Sequence, residues 1–367
     1  MRNIPLLDLK EQYQKIKPEI EAKVQKVLEE ANYVLGPEVK EFEANVAAYC
    51  DAKFGVGVNS GTDALHLPLA ALKVGPGDEV ITTPFTFFAT SEVISVMGAK
   101  PVFCDIQADT FNIDPEQIKA KITPKTKGIV PVHLYGHPAE MDAIMAIARE
   151  HNLWVLEDCA QSLGSSYKGK KTGSFGVAGA ISFFPSKNLG AYGDGGMIVT
   201  SDQEMAEELK ALRVHGGKKR YFYETLGFNS RLDTIQAAIL NIKLKYLNQW
   251  NERRREIAAF YSENLAQIPG VVPPSERPGC YHIYHQYTFR APKRDELQKH
   301  LQEKGIGNAI YYPLALHLQE VYSNLGYKKG DLPVTEKAQD EVISLPIYPE
   351  LKPEDLEYIV GTIKEFF

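Results

Sequence analysis

Three runs in this chain bring together residue types that could do chemistry. In the first, Asn59-Ser60-Gly61-Thr62-Asp63-Ala64-Leu65, a strand-like run gives way to a helix-like one. The start of a helix offers backbone N–H groups at its positive end, Gly61 permits close approach, and Thr62 adds a hydroxyl, so the turn suits a phosphate. Ser-Gly-Thr serves equally as a plain N-cap. In the second run, Leu156-Glu157-Asp158-Cys159-Ala160-Gln161-Ser162, an apolar strand ends in carboxylates. At the carboxyl end of a parallel strand such groups face the crevice where α/β proteins bind ligands, although Asp158 could also cap the next helix. In the third, Ser182-Phe183-Phe184-Pro185-Ser186-Lys187-Asn188-Leu189-Gly190, a lysine sits between an aromatic strand end and the glycine-rich Tyr192-Gly193-Asp194-Gly195-Gly196. A lysine kept neutral there can form a Schiff base with an aldehyde. Phosphate cradle, strand-end carboxylate and lysine, in that order, are the parts needed to use pyridoxal phosphate, whose ring nitrogen stays protonated against a carboxylate.

The elements that must position these groups are legible as alternation. Between about residues 40 and 200 short apolar runs alternate with segments of helical period, the pattern of a mostly parallel seven-stranded α/β sheet with helices on its faces. The expected strands cover 54–58, 79–83, 101–105, 128–133, 154–157, 180–184 and 197–200, with a helix over 140–150. Ile235, Ala238, Ile239 and Ile242 predict a long amphipathic helix from Leu232 towards Leu265. Beyond Pro273-Pro274, a strand over 284–290 and helices over 294–304 and 353–367 suggest a smaller α+β domain. We therefore expect a large domain over 1–245 and a small one over 246–367, with the N-terminal segment packing on the small one.

Composition excludes other classes. The 367 residues are 44% hydrophobic and 24% charged, with 41 basic against 47 acidic side chains and no long block of either sign. Nucleic acid and membrane surfaces are thus not expected as partners, although Lys218-Lys219-Arg220 and Arg253-Arg254-Arg255 could each hold a small anion. No apolar run is long enough to cross a membrane and no leader is evident, so a cytoplasmic protein is expected. The four cysteines are scattered, and Gly136 splits His133 from His137, so neither disulfides nor a metal site is expected. Gly55-Val56-Gly57-Val58-Asn59-Ser60 departs from a dinucleotide fingerprint at Ser60, and Gly164 to Lys171 departs from a phosphate-binding loop at Lys171.

Taken together the three runs become specific. The chain resembles the DegT/DnrJ family of sugar aminotransferases, fold-type I pyridoxal phosphate enzymes, from Pro5-Leu6-Leu7-Asp8-Leu9 to the C-terminal helix. The resemblance implies that Lys187 carries the cofactor and moves the proton, that Asp158 pairs with the pyridinium nitrogen and Gln161 with the ring hydroxyl, and that Gly61, Thr62 and Ser182 hold the phosphate. It also implies that Phe87, within Thr86-Phe87-Phe88-Ala89-Thr90, stacks on the ring. Phe88 is the rival, and two core aromatics the plainer explanation. Gly227-Phe228-Asn229-Ser230-Arg231-Leu232-Asp233 matches the segment whose asparagine reaches the neighbouring subunit's phosphate, implying a homodimer in which Asn229 serves the partner's site. Arg231, Tyr192 and, in Tyr311-Tyr312-Pro313-Leu314-Ala315-Leu316-His317, Tyr312 and His317 are candidate substrate contacts; ordinary packing is the other explanation for the tyrosines and the histidine.

Dehydrating relatives carry histidine where Lys187 stands, so the resemblance implies transamination, with L-glutamate as amino donor and a nucleotide-linked keto sugar as acceptor. The run from Phe184 to Gly196 is more similar to members that aminate C3 of dTDP-3-keto-6-deoxyhexoses or UDP-3-keto-2-acetamido uronates than to the 4-keto branch, and the product would be an amino sugar for a polysaccharide or glycoside. The other expectations are a 4-keto enzyme and a cofactor-binding regulator without turnover.

Overall fold

The structure, a computed structural model, describes residues 2–219 and 221–367. Its centre is a seven-stranded sheet of β1 (Phe54–Val58), β2 (Glu79–Thr82), β3 (Lys100–Phe103), β4 (Thr126–Val130), β5 (Trp154–Asp158), β6 (Ala178–Ser182) and β7 (Gly196–Thr200), in the order β1-β7-β6-β5-β4-β2-β3. β7 runs antiparallel to both of its neighbours, and the other six strands are parallel to one another. Helices cover both faces, which is why strands such as β7 are buried at every position and read as continuous apolar runs rather than alternating ones. The seven strands fall where sequence places them, their ends shifted by at most three residues.

Six parallel strands put six carboxyl ends on one edge of the sheet, the edge where the three chemical runs emerge. The helix Gly61–Ala71 starts directly after β1, with the Ser60 hydroxyl accepting from the Asp63 N–H at 3.1 Å. The glycines of the near-fingerprint have a packing role. A Cβ on Gly55 would lie 2.4 Å from the Glu43 carbonyl oxygen, so the helix Pro37–Tyr49 approaches β1 only because Gly55 has no side chain.

The expected long helix is two helices, Thr234–Leu244 and Leu247–Leu265, broken at Lys245 and Tyr246. Leu247 and Trp250, in the first turn of the second helix, still share cores with the first helix, and beyond them the two serve different cores. Ile239 and Ile242 pack with Ile16 and Ile20, whereas Ile257, Ala258, Tyr261 and Leu265 pack with Tyr287, Phe289, Leu297, Ile343 and Ile359. Ile16 and Ile20 belong to a 22-residue helix, Leu9–Glu30, that sequence reasoning missed. Its signal was present: Asp8 caps the Lys10 and Glu11 N–H groups, and Ile16, Ile20 and Val27 fall on one face.

The C-terminal part pairs β8 (Tyr287–Arg290) with β9 (Val342–Leu345) antiparallel, under the helices Arg294–Glu303 and Pro353–Phe366. Ile4 enters the same core, its N–H donating to the Gly305 carbonyl at 2.8 Å and its carbonyl accepting from the Gly307 N–H at 2.7 Å. No helix among the described residues is long and apolar enough to cross a membrane.

Candidate active site

A cavity of about 340 Å³ opens on the carboxyl edge of the sheet. It is lined after β1 by Gly61 and Thr62, after β2 by Thr86, Phe87 and Thr90, after β5 by Asp158 and Gln161, and after β6 by Ser182, Ser186 and Lys187. The C-terminal part closes it with His285, Gln286, Tyr311 and Tyr312. Residues from four strand ends and from a segment about 100 positions further on thus share one cleft.

One end suits a phosphate. Ser60 takes the N–H of Asp63 through its side chain and that of Ala64 through its carbonyl, which leaves the N–H groups of Gly61 and Thr62 without a protein acceptor among the described residues. A Cβ on Gly61 would stand 2.6 Å from Ser182 Cβ, so the glycine lets Ser182 come alongside the helix start.

The other end carries the charge. Asp158 is buried at the tip of β5, its carboxylate accepting from the Thr90 hydroxyl at 2.8 Å and from the Ala160 N–H at 3.1 Å. Burial pushes its pKa up, and those two donors together with Lys187 and His133 pull the other way. Burial also pulls the Lys187 amine down from its ordinary value to about 8, against the attraction of Asp158. Gln161 is fixed from both ends, its oxygen accepting from the Tyr135 N–H at 2.6 Å and its nitrogen donating to the Tyr312 hydroxyl at 3.1 Å. Free helix-terminal donors, a buried carboxylate with no cation bonded to it among the described residues, and a lysine of lowered pKa are the donor set and charge that pyridoxal phosphate requires.

The two phenylalanines separate. Phe87 is 60% exposed and lines the cavity, while Phe88 packs against the cluster of Phe103, Leu316, Tyr322 and Leu332. Tyr312 lines the cavity, but Tyr192 and Arg231 do not. Tyr192 stands edge-on to Tyr13 with its backbone N–H on Gln236. His317 is buried and bonded to Glu336 at 3.1 Å, so among the described residues it contacts protein rather than the cavity. Asn229 is exposed and pairs its backbone with Val214; the adjacent Ser230 reaches Asn59 beside the helix start. Arg253, Arg254 and Arg255 form no anion site. Arg254 is buried and donates to the carbonyls of Tyr284, His285 and Ile347, Arg253 pairs with Glu256, and Arg255 with Glu276. Of Lys218-Lys219-Arg220, Lys218 lies 3.7 Å from Glu224 and Arg220 is outside the described residues.

Sequence reasoning missed Glu157, Thr90, Asn188 and His285. Glu157 precedes Asp158 and so points to the opposite side of the sheet. There its carboxylate accepts from the N–H groups of Gly173, Phe175 and Gly176 and meets His133 at 3.0 Å. The cluster His133, Glu157 and Cys159 is compact, but this carboxylate is committed to the glycine-rich loop before β6. No spacing rule flags Thr90 or His285, because each reaches the site only through tertiary packing.

Comparison with known proteins shows the family. The model of the DegT/DnrJ/EryC1/StrS aminotransferase family matches residues 14–364. A Geobacillus stearothermophilus protein named "Pleiotropic regulatory protein" is 56% identical over 367 residues, covering 100% of this chain and 99% of its own. The dTDP-3-amino-3,4,6-trideoxy-alpha-D-glucose transaminase of Streptomyces venezuelae is 43% identical, covering 99% of this chain and 96% of its own. Among solved structures, S. venezuelae DesV in complex with a ketimine intermediate superposes with a TM-score of 0.98 at 43% identity, covering 100% of this chain and 99% of that one. The Bacillus subtilis protein ntda with bound cofactor PMP superposes at 0.91 and 30% identity, covering 100% and 85%. The chain belongs to the DegT/DnrJ/EryC1/StrS aminotransferase family.

Proposed function

We propose that this protein transfers the amino group of L-glutamate to C3 of a nucleotide-linked 3-keto sugar. The observation that carries it is the placement of Lys187 and Asp158 in one cavity, with the free N–H groups of Gly61 and Thr62 at the end of that cavity. When bound, pyridoxal phosphate supplies an electron sink. The residues supply the rest. Gly61, Thr62 and Ser182 hold the phosphate at the helix start, and Asp158, oriented by Thr90 and Ala160, keeps the pyridinium nitrogen protonated. Gln161 faces the ring hydroxyl and Phe87 covers the ring. Lys187 would hold the cofactor between turnovers and, when free of it, would take the proton from the carbon bearing the amino group and deliver it two atoms along, a 1,3 shift across the nitrogen. L-Glutamate leaves as 2-oxoglutarate in the first half, and the sugar ketone receives the amine in the second.

The site is completed by a second copy of the chain. Asn229, exposed beside the helix start, serves the partner's phosphate, with Arg231 near it. The run that leads into it carries Phe222, Tyr223 and Leu226, of which Leu226 is 94% exposed; such apolar side chains favour a covered surface. Residues 1–245 then form the cofactor domain and 246–367 the part that closes over the sugar, with Tyr312 at the cavity wall. C3 is supported by relatives whose names give a dTDP-linked 3-amino sugar or a UDP-linked 3-oxo sugar.

A second reading has one observation behind it. The 56% identical relative bears the name of a regulatory protein, which fits a cofactor-binding regulator. Turnover separates the two. Mixing the pyridoxamine form with dTDP- and UDP-linked 3-keto and 4-keto sugars, with product read by mass spectrometry, should yield a 3-amino sugar. Amination of none of them would leave the regulator standing, and amination of only 4-keto sugars would overturn the assignment to C3.

A further inference from the structure

Asp158 is the last link of a chain of hydroxyl groups that begins at Thr86. The Thr90 hydroxyl donates to Asp158 Oδ2 at 2.8 Å, and the Thr86 and Thr90 hydroxyls stand 3.1 Å apart. Both threonines are buried and both line the cavity. The direction of the chain follows from its end. An ionised carboxylate can only accept, so Thr90 spends its one hydrogen on Asp158, and the bond between the hydroxyls runs from Thr86 to Thr90. A hydrogen on Oδ2 facing Thr90 would turn the chain round. The Thr86 hydrogen would then have no protein acceptor among the described residues, and a buried donor left unpaired is costly. The Ala160 N–H accounts for the other carboxylate oxygen at 3.1 Å. Both hydroxyl hydrogens thus find acceptors when Asp158 is charged.

Thr90 sits in the first turn of the helix Ala89–Val96, its N–H donating to the Phe87 carbonyl at 3.3 Å. Thr86 and Thr90 therefore bracket Phe87, and one turn sets both the carboxylate and the aromatic side chain of the cavity. Burial at the tip of β5 deprives Asp158 of the water that would otherwise solvate its charge. Lys187 and His133 favour that charge, but neither side chain is bonded to the carboxylate among the described residues. His133 is committed to Glu157 and the Ala139 N–H, and burial keeps the Tyr312 phenol neutral.

We propose that Thr90 and Thr86 are positioning residues that keep Asp158 ionised for the cofactor's ring nitrogen, Thr90 by direct donation and Thr86 by polarising Thr90. This deepens the transamination reading and rests on its pairing of Asp158 with the pyridinium nitrogen.

A deaza analogue of pyridoxal phosphate, with C–H in place of the ring nitrogen, separates this role from packing. By equilibrium dialysis of the full-length chain at neutral pH, the wild type should bind pyridoxal phosphate more tightly than the analogue, because only a protonated nitrogen pairs with Asp158. Thr90→Val keeps the shape of the side chain and removes its hydroxyl. It should weaken pyridoxal phosphate about tenfold and leave the analogue unchanged, whereas Thr90→Ser should keep the wild-type ratio. Thr86→Val should cost about threefold, and nothing further in the Thr90→Val background, since Thr86 acts through Thr90. An equal loss for both compounds in Thr90→Val, or no loss, would overturn the proposal. Should Thr90→Val fail to fold, Thr86→Val decides: a loss confined to pyridoxal phosphate supports the relay, and an equal loss or none contradicts it. A wild type that binds both compounds equally would sink the pairing of Asp158 with the ring nitrogen and the relay with it. A wild-type preference that ignores both threonines would sink the relay alone.

Discussion

Glu157 and Asp158 are consecutive on β5 and face opposite sides of the sheet, one committed to structure and the other to the cavity. Strand geometry assigns the roles, since neighbouring side chains alternate faces. Glu157 lies among three backbone N–H donors and His133 with no exposure, so an amide in its place would set N–H against N–H. Glu157→Gln should therefore lower stability by about 3 kcal/mol, measured by urea unfolding. An unchanged midpoint would mean that the loop before β6 does not depend on this carboxylate.

Lys187 predicts a pH profile. Capture of pyridoxal phosphate needs the neutral amine, and burial lowers this one to about 8. The capture rate, followed by visible absorption, should rise with pH to about 8 and then level off. An exposed lysine would keep accelerating towards pH 10 and beyond, and that profile would contradict the burial of Lys187.

Phe87 and Phe88 should respond differently to removal. Phe87→Ala strips a ring from the cavity wall and should weaken cofactor retention by up to about tenfold with little loss of stability. Phe88→Ala opens a hole beside Tyr322 and should cost about 3 kcal/mol of stability with cofactor affinity nearly unchanged. Equilibrium dialysis and urea unfolding on both variants separate the two effects, and a reversed pattern would exchange their roles.

The seven strands and the order of the three chemical runs were legible because buried parallel strands are short apolar runs and because β1, β5 and β6 each end next to a functional residue. The helix Leu9–Glu30 was legible too, through Asp8 and the stripe of Ile16, Ile20 and Val27, but went unread. The break at Lys245 and Tyr246 was hidden, because the apolar period continues while the core it faces changes. His317 misled for a similar reason: Tyr311 and Tyr312, six and five positions before it, line the cavity, while its own ring turns inward to Glu336. His285 and Thr90 had no local signature at all, since their partners Asn188 and Asp158 lie 97 and 68 positions away.

Asn229 predicts complementation between subunits. Asn229→Ala and Lys187→Ala proteins should each lose most activity alone. Mixed and reassociated, they should recover up to about one quarter of wild-type activity, because half of the dimers formed at random are hybrids and each hybrid keeps one of its two sites intact. Absence of any recovery, once subunit exchange is verified by mass spectrometry, would contradict a shared site.

The central claim is that Lys187 and Asp158 operate a transaminase, and the visible spectrum of the purified protein tests it most directly. With pyridoxal phosphate the protein should turn yellow, L-glutamate should bleach the colour with one 2-oxoglutarate formed per site, and Lys187→Ala should show neither the protein-bound yellow species nor glutamate-driven turnover. A yellow protein whose spectrum L-glutamate leaves unchanged would contradict the account.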